Sequence, residues 1–497
     1  MKLYQSNNGE YNFVMAYPAK EEFALSSLGY LWLYRIADTK DGINAIRIST
    51  DNIDINPKTI NSMAFSMSFD FDYIGVLEIL DKLQIPFYAK DRDDDCPIIF
   101  AGGAVLTTNP RPYEEFFDFM IIGDGEDVFD KILDIFKLNL SKTETLNMIS
   151  KLEGVYFSGN NAVKATVSLN NVVYTPIISN KSYFKDTFII EVSRGCMNRC
   201  AFCTASYLNL PFRHYEYEKI IEIIEFGLKY TNKIALLGAQ ISAHPRFNDI
   251  MEYIKNKIDN GENIELGISS LRTDAITSKM VQTLVAGGQK HSTIAIEAAS
   301  ERLRKFINKN INEEQILNAV KLARENGLSG LKIYSMIGIP TETENDIEEF
   351  INLSKKIKEE NKGFNVEFSF STFVPKPHTP LQWSKREDTK SLEKKQKYLE
   401  KELSKLGMSS KFSSAKWDYW QTVLSRSDNS IAPMLVEVYK NGGKIGAYKQ
   451  AVKTLGVDIT KSIDGYSFDE ELPWDCVELY PPKQQLINEY NRLAKKQ

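Results

Sequence analysis

The sequence predicts an α/β protein in three parts: an N-terminal Rossmann-like domain, a central partial (β/α)6 barrel of TIM type, and a C-terminal, mostly helical extension. Three observations predict this. Short apolar runs alternate with stretches of helical periodicity through most of the chain. Glycines stand where many of those runs end. The alternation is most regular from 187 to 373, where six strand–helix units are counted, too few for a closed eight-unit barrel. A doubly wound sheet gives the same alternation, so the count alone does not separate the two. The expected domains are 1–180, 181–383 and 384–497.

In the first part, 61–67, 97–100 and 118–122 read as buried strands. The second is closed by Gly102-Gly103 and the third by Gly123-Asp124-Gly125-Glu126. Residues 73–83 have helical periodicity, and 155–173 read as a small antiparallel elaboration turning at Gly159-Asn160. In the second part the strands are 187–192, 233–237, 264–269, 293–298, 331–337 and 365–373. The helices are 218–230, 247–258, 278–284, 302–307, 313–325 and 344–358, with Gly261, Gly287-Gly288 and Gly327 as stops. Residues 384–406 read as a charged helix that begins the third part.

Hydrophobic residues make up 43% and charged residues 26% of the 497, the balance of a globular protein. The net charge of −5 offers no global attraction for nucleic acid or an anionic membrane. No apolar stretch is long enough to span a bilayer. Residues 1–10 are polar and unlike a signal peptide, so a cytoplasmic location is expected. In that compartment five cysteines do not suggest a disulfide framework.

Three of the five fall within eight residues, in Val192-Ser193-Arg194-Gly195-Cys196-Met197-Asn198-Arg199-Cys200-Ala201-Phe202-Cys203. The spacing is C-x3-C-x2-C, directly after a predicted strand. Three thiolates can hold three irons of a [4Fe–4S] cubane and leave the fourth open to a small molecule. The competing metal is zinc, which in a structural site wants four closed ligands. His214 would be the fourth, at a spacing that fits no common zinc pattern. Cys96 and Cys476 read as plain thiols without partners for a second cluster.

This loop resembles that of the radical S-adenosylmethionine (SAM) superfamily, in which the open iron binds SAM and reductive cleavage yields a 5′-deoxyadenosyl radical. Phe202, before the last cysteine, fits the resemblance. It implies SAM contacts at the strand ends: Leu237-Gly238-Ala239, where an acidic residue is absent and Gln240 stands in; Ser269, Ser270 and Arg272; Glu297 toward the ribose; Arg304 toward a carboxylate; and Gly338-Ile339-Pro340 against adenine. The alternative for Glu297 and Arg304 is a surface ion pair, and for Gly338-Ile339-Pro340 a turn that starts a helix.

Phe100-Ala101-Gly102-Gly103, Asn109-Pro110 and Gly123-Asp124-Gly125-Glu126 resemble the cobalamin-binding-like domain of B12-type radical SAM proteins. Gly102, Gly103, Gly123 and Gly125 are then candidate cofactor contacts. No histidine precedes His214, so the D-x-H-x-x-G loop that ligates cobalt is missing. The proline-rich run Phe373-Val374-Pro375-Lys376-Pro377-His378-Thr379-Pro380-Leu381-Gln382-Trp383, with Leu472-Pro473-Trp474, is similar to an uncharacterised family of such proteins over nearly the whole chain. Lys376, His378 and Gln382 are either substrate contacts or part of a rigid exit loop.

The resemblance implies an enzyme with a [4Fe–4S] cluster, SAM and, as one alternative, cobalamin for methyl transfer. It also implies an electron donor of flavodoxin or ferredoxin type. The rivals are cobalamin-free radical chemistry and a non-catalytic Fe–S or zinc protein binding RNA or a partner. The substrate stays open, with large ones such as tRNA, ribosome, peptide and lipid among the candidates.

Overall fold

A computed structural model describes residues 1–495. They form two units, and the expected third part is shared between them. Unit 1 is Met1–Ser168, Val173–Asp186 and Trp420–Pro482; unit 2 is Leu169–Val172, Thr187–Tyr419 and Lys483–Gln497.

Unit 1 is built on one sheet of six strands: β1 (Tyr11–Tyr17), β2 (Ile43–Ser49), β3 (Ser62–Ser66), β4 (Ile98–Gly102), β5 (Phe119–Ile121) and β6 (Val155–Tyr156). Their order is β2-β1-β3-β4-β5-β6, parallel except for β6. This is the flavodoxin-like doubly wound order, with its switch point between β1 and β3. The sequence reading missed β1 and β2. Phe13, Val14, Met15 and Ala16 of β1 are all fully buried, so the strand lacks the alternation that marks a half-exposed one.

Helices Leu28–Thr39 and Glu126–Phe136 cover one face of this sheet. Phe129 packs on Phe13, and Phe100 stacks on Phe119 with ring centroids 4.6 Å apart. Each such buried ring contributes about 1.5–3 kcal/mol. The late segment joins this unit through buried polar contacts. Tyr73 donates a 2.6 Å hydrogen bond to the Tyr448 hydroxyl. The Asn109 amide donates to the Ser427 carbonyl.

The antiparallel elaboration expected over 155–173 is corrected. Only β6 runs antiparallel, against β5, whereas Ala162–Val163 pairs in parallel with Val477–Glu478. A short apolar pair cannot specify so distant a partner.

Unit 2 holds β7 (Phe188–Glu191), β8 (Lys233–Leu237) and β9 (Glu265–Ile268), with β8 in the middle. A second group is β10 (His291–Glu297), β11 (Gly330–Ile337), β12 (Asn365–Thr372) and β13 (Ser409–Phe412), in that order. All these pairs are parallel, and among the described residues a single bridge from Leu271 to Ile294 links the groups. The first six are the expected barrel strands. The seventh, β13, lies in a stretch read as helical extension. It is polar, as edge strands are, and Phe412 stacks on Phe370 at 5.0 Å.

Burial alternates along β10 and β12. One face of the barrel wall is packed, while the other is only partly covered.

Candidate active site

The cysteine loop begins where β7 ends. Arg194 clamps Glu191 with two bonds, Nε to Oε1 at 2.9 Å and Nη2 to Oε2 at 2.8 Å. Tyr215 donates to the same carboxylate. Ser193–Arg194 pairs antiparallel with Arg213–His214. Gly195 has φ +85°, and a Cβ there would lie 2.3 Å from the Asn209 carbonyl oxygen, so only glycine fits the turn.

Cys196 and Cys200 are buried and Cys203 is half-buried. The loop backbone is fixed from behind. Ala201 donates to the Ile307 carbonyl at 2.8 Å and accepts from Leu381 N–H at 3.2 Å. Asn308 Nδ2 donates to the carbonyls of Asn198 and Arg199, and Tyr207 also donates to that of Arg199. Phe202 packs in a core cluster with Phe306, Ile307, Ile339, Phe373 and Leu381.

Cys196 Sγ stands 3.4 Å from both Asn198 Nδ2 and Gln240 Oε1, and that amide pair is itself hydrogen-bonded. Burial pushes the Cys200 thiol up to about 12, opposed by nearby Lys309. Burial also raises Cys203, against the bond from Ser206. Metal binding must therefore displace protons from this loop.

The donor set fits a cubane. Each iron takes one thiolate, so the three sulfurs need not converge on a point. Among the described residues, no three His, Cys, Asp or Glu side chains are arranged to hold a single ion, as zinc would require. His214 is instead edge-to-face with His244 at 4.9 Å.

The strand ends supply polar groups of unequal availability. Leu237 is exposed, and the Leu237 carbonyl accepts from Val192 N–H. A Cβ on Gly238 would lie 2.7 Å from Ser193 Oγ, so Gly238 lets β8 pass against the cysteine loop. Ala239 is exposed beside the half-buried Gln240. Ser269 and Ser270 are exposed beyond β9. The Arg272 guanidinium is gripped by Asp274 of its own loop, at 2.5 Å and 3.0 Å.

Glu297 ends β10 at a register shift, with φ +65°. A bulge of this kind re-aims a side chain, and a left-handed glutamate is a strained residue held by its surroundings. Its carboxylate meets Lys309 Nζ at 3.1 Å. Lys309 is only 8% exposed. Burial would lower its pKa, but Glu297 and Cys200 more than offset that and raise it.

Arg304 is neither on the surface nor paired with Glu297. It is fully buried, with Nε on the Ile311 carbonyl and Nη1 on those of Ala298 and Ala299. Gly338 donates to Glu342 and packs under Leu392, and Ile339 is in the core beside Phe202. Only Pro340 of that stretch is half-exposed. In the proline-rich run Gln382 accepts from His378 N–H, and Leu381 holds Ala201. That run is a rigid brace behind the cysteine loop.

In unit 1 the glycines follow β4 and β5. A Cβ on Gly103 would lie 2.2 Å from the Met67 carbonyl oxygen, and one on Gly123 2.3 Å from that of Ala165. Chain packing alone accounts for both. Gly102 and Gly125 have ordinary surroundings. Sequence reasoning missed Lys309, Asn198 and Asn308. The only signal was a lysine between two asparagines after a short helix, which no periodicity distinguishes.

The comparisons agree with this geometry. The profile of the Radical SAM superfamily matches residues 190–354, and that of radical SAM proteins, N-terminal, matches 42–157. The uncharacterized protein MJ0966 of Methanocaldococcus jannaschii is 30% identical over 435 residues, covering 85% of this chain and 90% of its own. The uncharacterized methyltransferase PH0819 of Pyrococcus horikoshii is 27% identical, covering 60% and 67%. The fold is similar to that of the cobalamin-dependent SAM radical enzyme OxsB, solved with aqua-cobalamin and SAM. The TM-score is 0.56 at 13% identity, covering 98% of this chain and 75% of that one. The chain is an enzyme of the radical SAM superfamily.

Proposed function

We propose that this enzyme cleaves SAM at a [4Fe–4S] cluster on Cys196, Cys200 and Cys203, and uses the 5′-deoxyadenosyl radical for cobalamin-dependent methyl transfer to an unactivated carbon. The observation that carries the reading is one barrel holding a braced three-thiol loop beside a charged, partly open set of strand ends. When bound, the cluster supplies one electron to SAM and cobalamin supplies the transferred methyl group.

In this reading Asn198 and Gln240 orient Cys196. Glu297 accepts from the ribose hydroxyls, Ser270 adds a hydroxyl at the neighbouring strand end, and Lys309 offers an ammonium to the SAM carboxylate. Arg272, already clamped by Asp274, orients that side of the site.

The switch-point crevice of unit 1 supports a large flat cofactor. Phe69, just beyond β3, is 49% exposed. All four histidines lie in unit 2, so unit 1 offers no imidazole to cobalt. Methyl transfer is favoured over sulfur insertion by the thiol inventory. Beyond the loop only Cys96 and Cys476 remain, and burial raises the pKa of both, Cys476 to about 11. Such thiols are poor sulfur carriers.

The test is anaerobic purification after expression with a cobalamin supply. Corrinoid absorbance on the protein, with 5′-deoxyadenosine and S-adenosylhomocysteine formed from SAM, is the expected result. Deoxyadenosine without bound corrinoid would replace this reading with cobalamin-free radical chemistry.

A further inference from the structure

The helix Lys483–Ala494 builds a second cleft against the cysteine loop. Its buried Leu493 and half-buried Tyr490 pack with Phe306 and Ile307, at the end of the helix Glu301–Phe306. The cleft lies between the cysteine loop and the helix Lys483–Ala494. Its volume is about 430 Å³. The floor is Met197, Asn198 and Arg199, the three residues between the first two cysteines, and Asn488, Glu489 and Arg492 form the wall.

Three features of this cleft bear on what could dock there. Met197 is 58% exposed although its neighbour Cys196 is buried. Asn198 lines the cleft and also donates to Cys196 Sγ at 3.4 Å, so one hydrogen bond separates the floor from the sulfur. The floor is rigid, because Asn308 and Tyr207 hold its carbonyls.

The rim is also basic in a chain of net charge −5. Arg199 and Arg492 face it, and Lys483 and Lys495 stand on or just after the same helix. The one acid among these, Glu489, is bonded to Tyr207 and stands 3.7 Å from Arg492, and burial raises its pKa.

We propose that this cleft docks the electron donor, an acidic protein with an exposed one-electron cofactor, which reduces the cluster by way of Asn198 and Cys196. The inference rests on the cluster reading of the loop. The reduced carrier loses one electron and the cluster gains it. That electron then enters the C5′–S bond of SAM, which breaks to methionine and the deoxyadenosyl radical. An apolar contact at Met197 inside a charged rim is the anatomy of a protein interface, and rim charges chiefly steer encounter.

The experiment uses holoenzyme with an acidic flavodoxin and an acidic ferredoxin as parallel probes. Arg492→Glu and Asn488→Glu alter exposed positions of the helix and leave its buried Leu486 and Leu493 in place. Binding of each oxidised carrier is measured by titration, independently of turnover. The expected result, for whichever carrier binds the wild type, is a Kd raised about tenfold at low salt, with the gap narrowing as salt rises. The ratio of carrier-driven to dithionite-driven deoxyadenosine formation should fall with it. An unchanged Kd and an unchanged ratio in both variants overturn the docking site. A wild-type holoenzyme that makes no deoxyadenosine even with dithionite overturns the cluster reading instead.

Discussion

The two parallel sheets end their central strands in the same way and use those ends differently. In unit 1 the turns after β4 and β5 need Gly103 and Gly123 because backbone carbonyls pass within about 2.3 Å of where a Cβ would be. In unit 2, Gly195 and Gly238 answer the same steric demand. What they bring together there is a buried thiol and two amides, and the end of β10 adds a strained carboxylate paired with a buried lysine. A glycine at a strand end thus reports close chain passage, and only the donors beside it report chemistry.

The largest effect expected from this contrast is at the loop itself. Cys200→Ser should abolish iron retention after reconstitution and reduce deoxyadenosine formation to background, with an unchanged circular dichroism spectrum. A variant that keeps its iron and still cleaves SAM would break the assignment of the site to unit 2.

The next effect is at the charged pair. Lys309→Met leaves the partly buried Glu297 carboxylate without its cation, which should cost about 1–3 kcal/mol of stability. Adding Glu297→Gln removes the orphaned charge and should restore most of that loss. Thermal or denaturant unfolding of the two single variants and the double one checks it. A double variant no more stable than Lys309→Met would mean the carboxylate does not depend on the lysine.

Legibility in the sequence divides along the same line. The strand Lys233–Leu237 and the helix Glu313–Glu325 were bounded from sequence as they stand. Gly238 ends the strand, and an Asn312/Gln315 capping box starts the helix. The cysteine loop was legible because its three thiols are local in sequence. The Glu297–Lys309 pair was not, because it spans twelve residues and exists only through a bulge. Strand β13 escaped because a polar edge strand carries almost no pattern. The return of 420–482 to unit 1 escaped because it depends on individual contacts such as Tyr73 with Tyr448. Arg304 was misread because a buried guanidinium bonded to backbone carbonyls leaves the same mark in sequence as one awaiting a carboxylate.

A smaller effect separates the two kinds of glycine in unit 1. Gly103→Ala, with φ +126° and the Met67 carbonyl in the way, should destabilise that unit by about 2 kcal/mol or more. Gly125→Ala, with φ −84° and only side-chain contacts beyond 3.6 Å, should stay within about 0.5 kcal/mol. Equal losses would mean that the turn after β4 is not held by packing.

The smallest effect sharpens how each sheet end treats a partly buried carboxylate. In unit 2 Glu297 has a cation; in unit 1 Asp72 has only the amides of Ser68 and Phe69, at 2.7 and 2.8 Å. Burial pushes Asp72 up to about 6, with the charge of Asp70 adding to it and the two amides opposing it. The native state therefore holds a proton that the unfolded chain releases near pH 4. This contribution to stability is full below about pH 4 and is lost as pH rises through about 6. Asp72→Asn keeps an oxygen for the two amides and has no charge to bury. It should gain on the order of 1–2 kcal/mol over the wild type at pH 7 and nothing at pH 4. Denaturant unfolding at the two pH values measures this difference. An equal gap at both would show that the amides alone satisfy Asp72, and the turn after β3 would then hold its charge without strain.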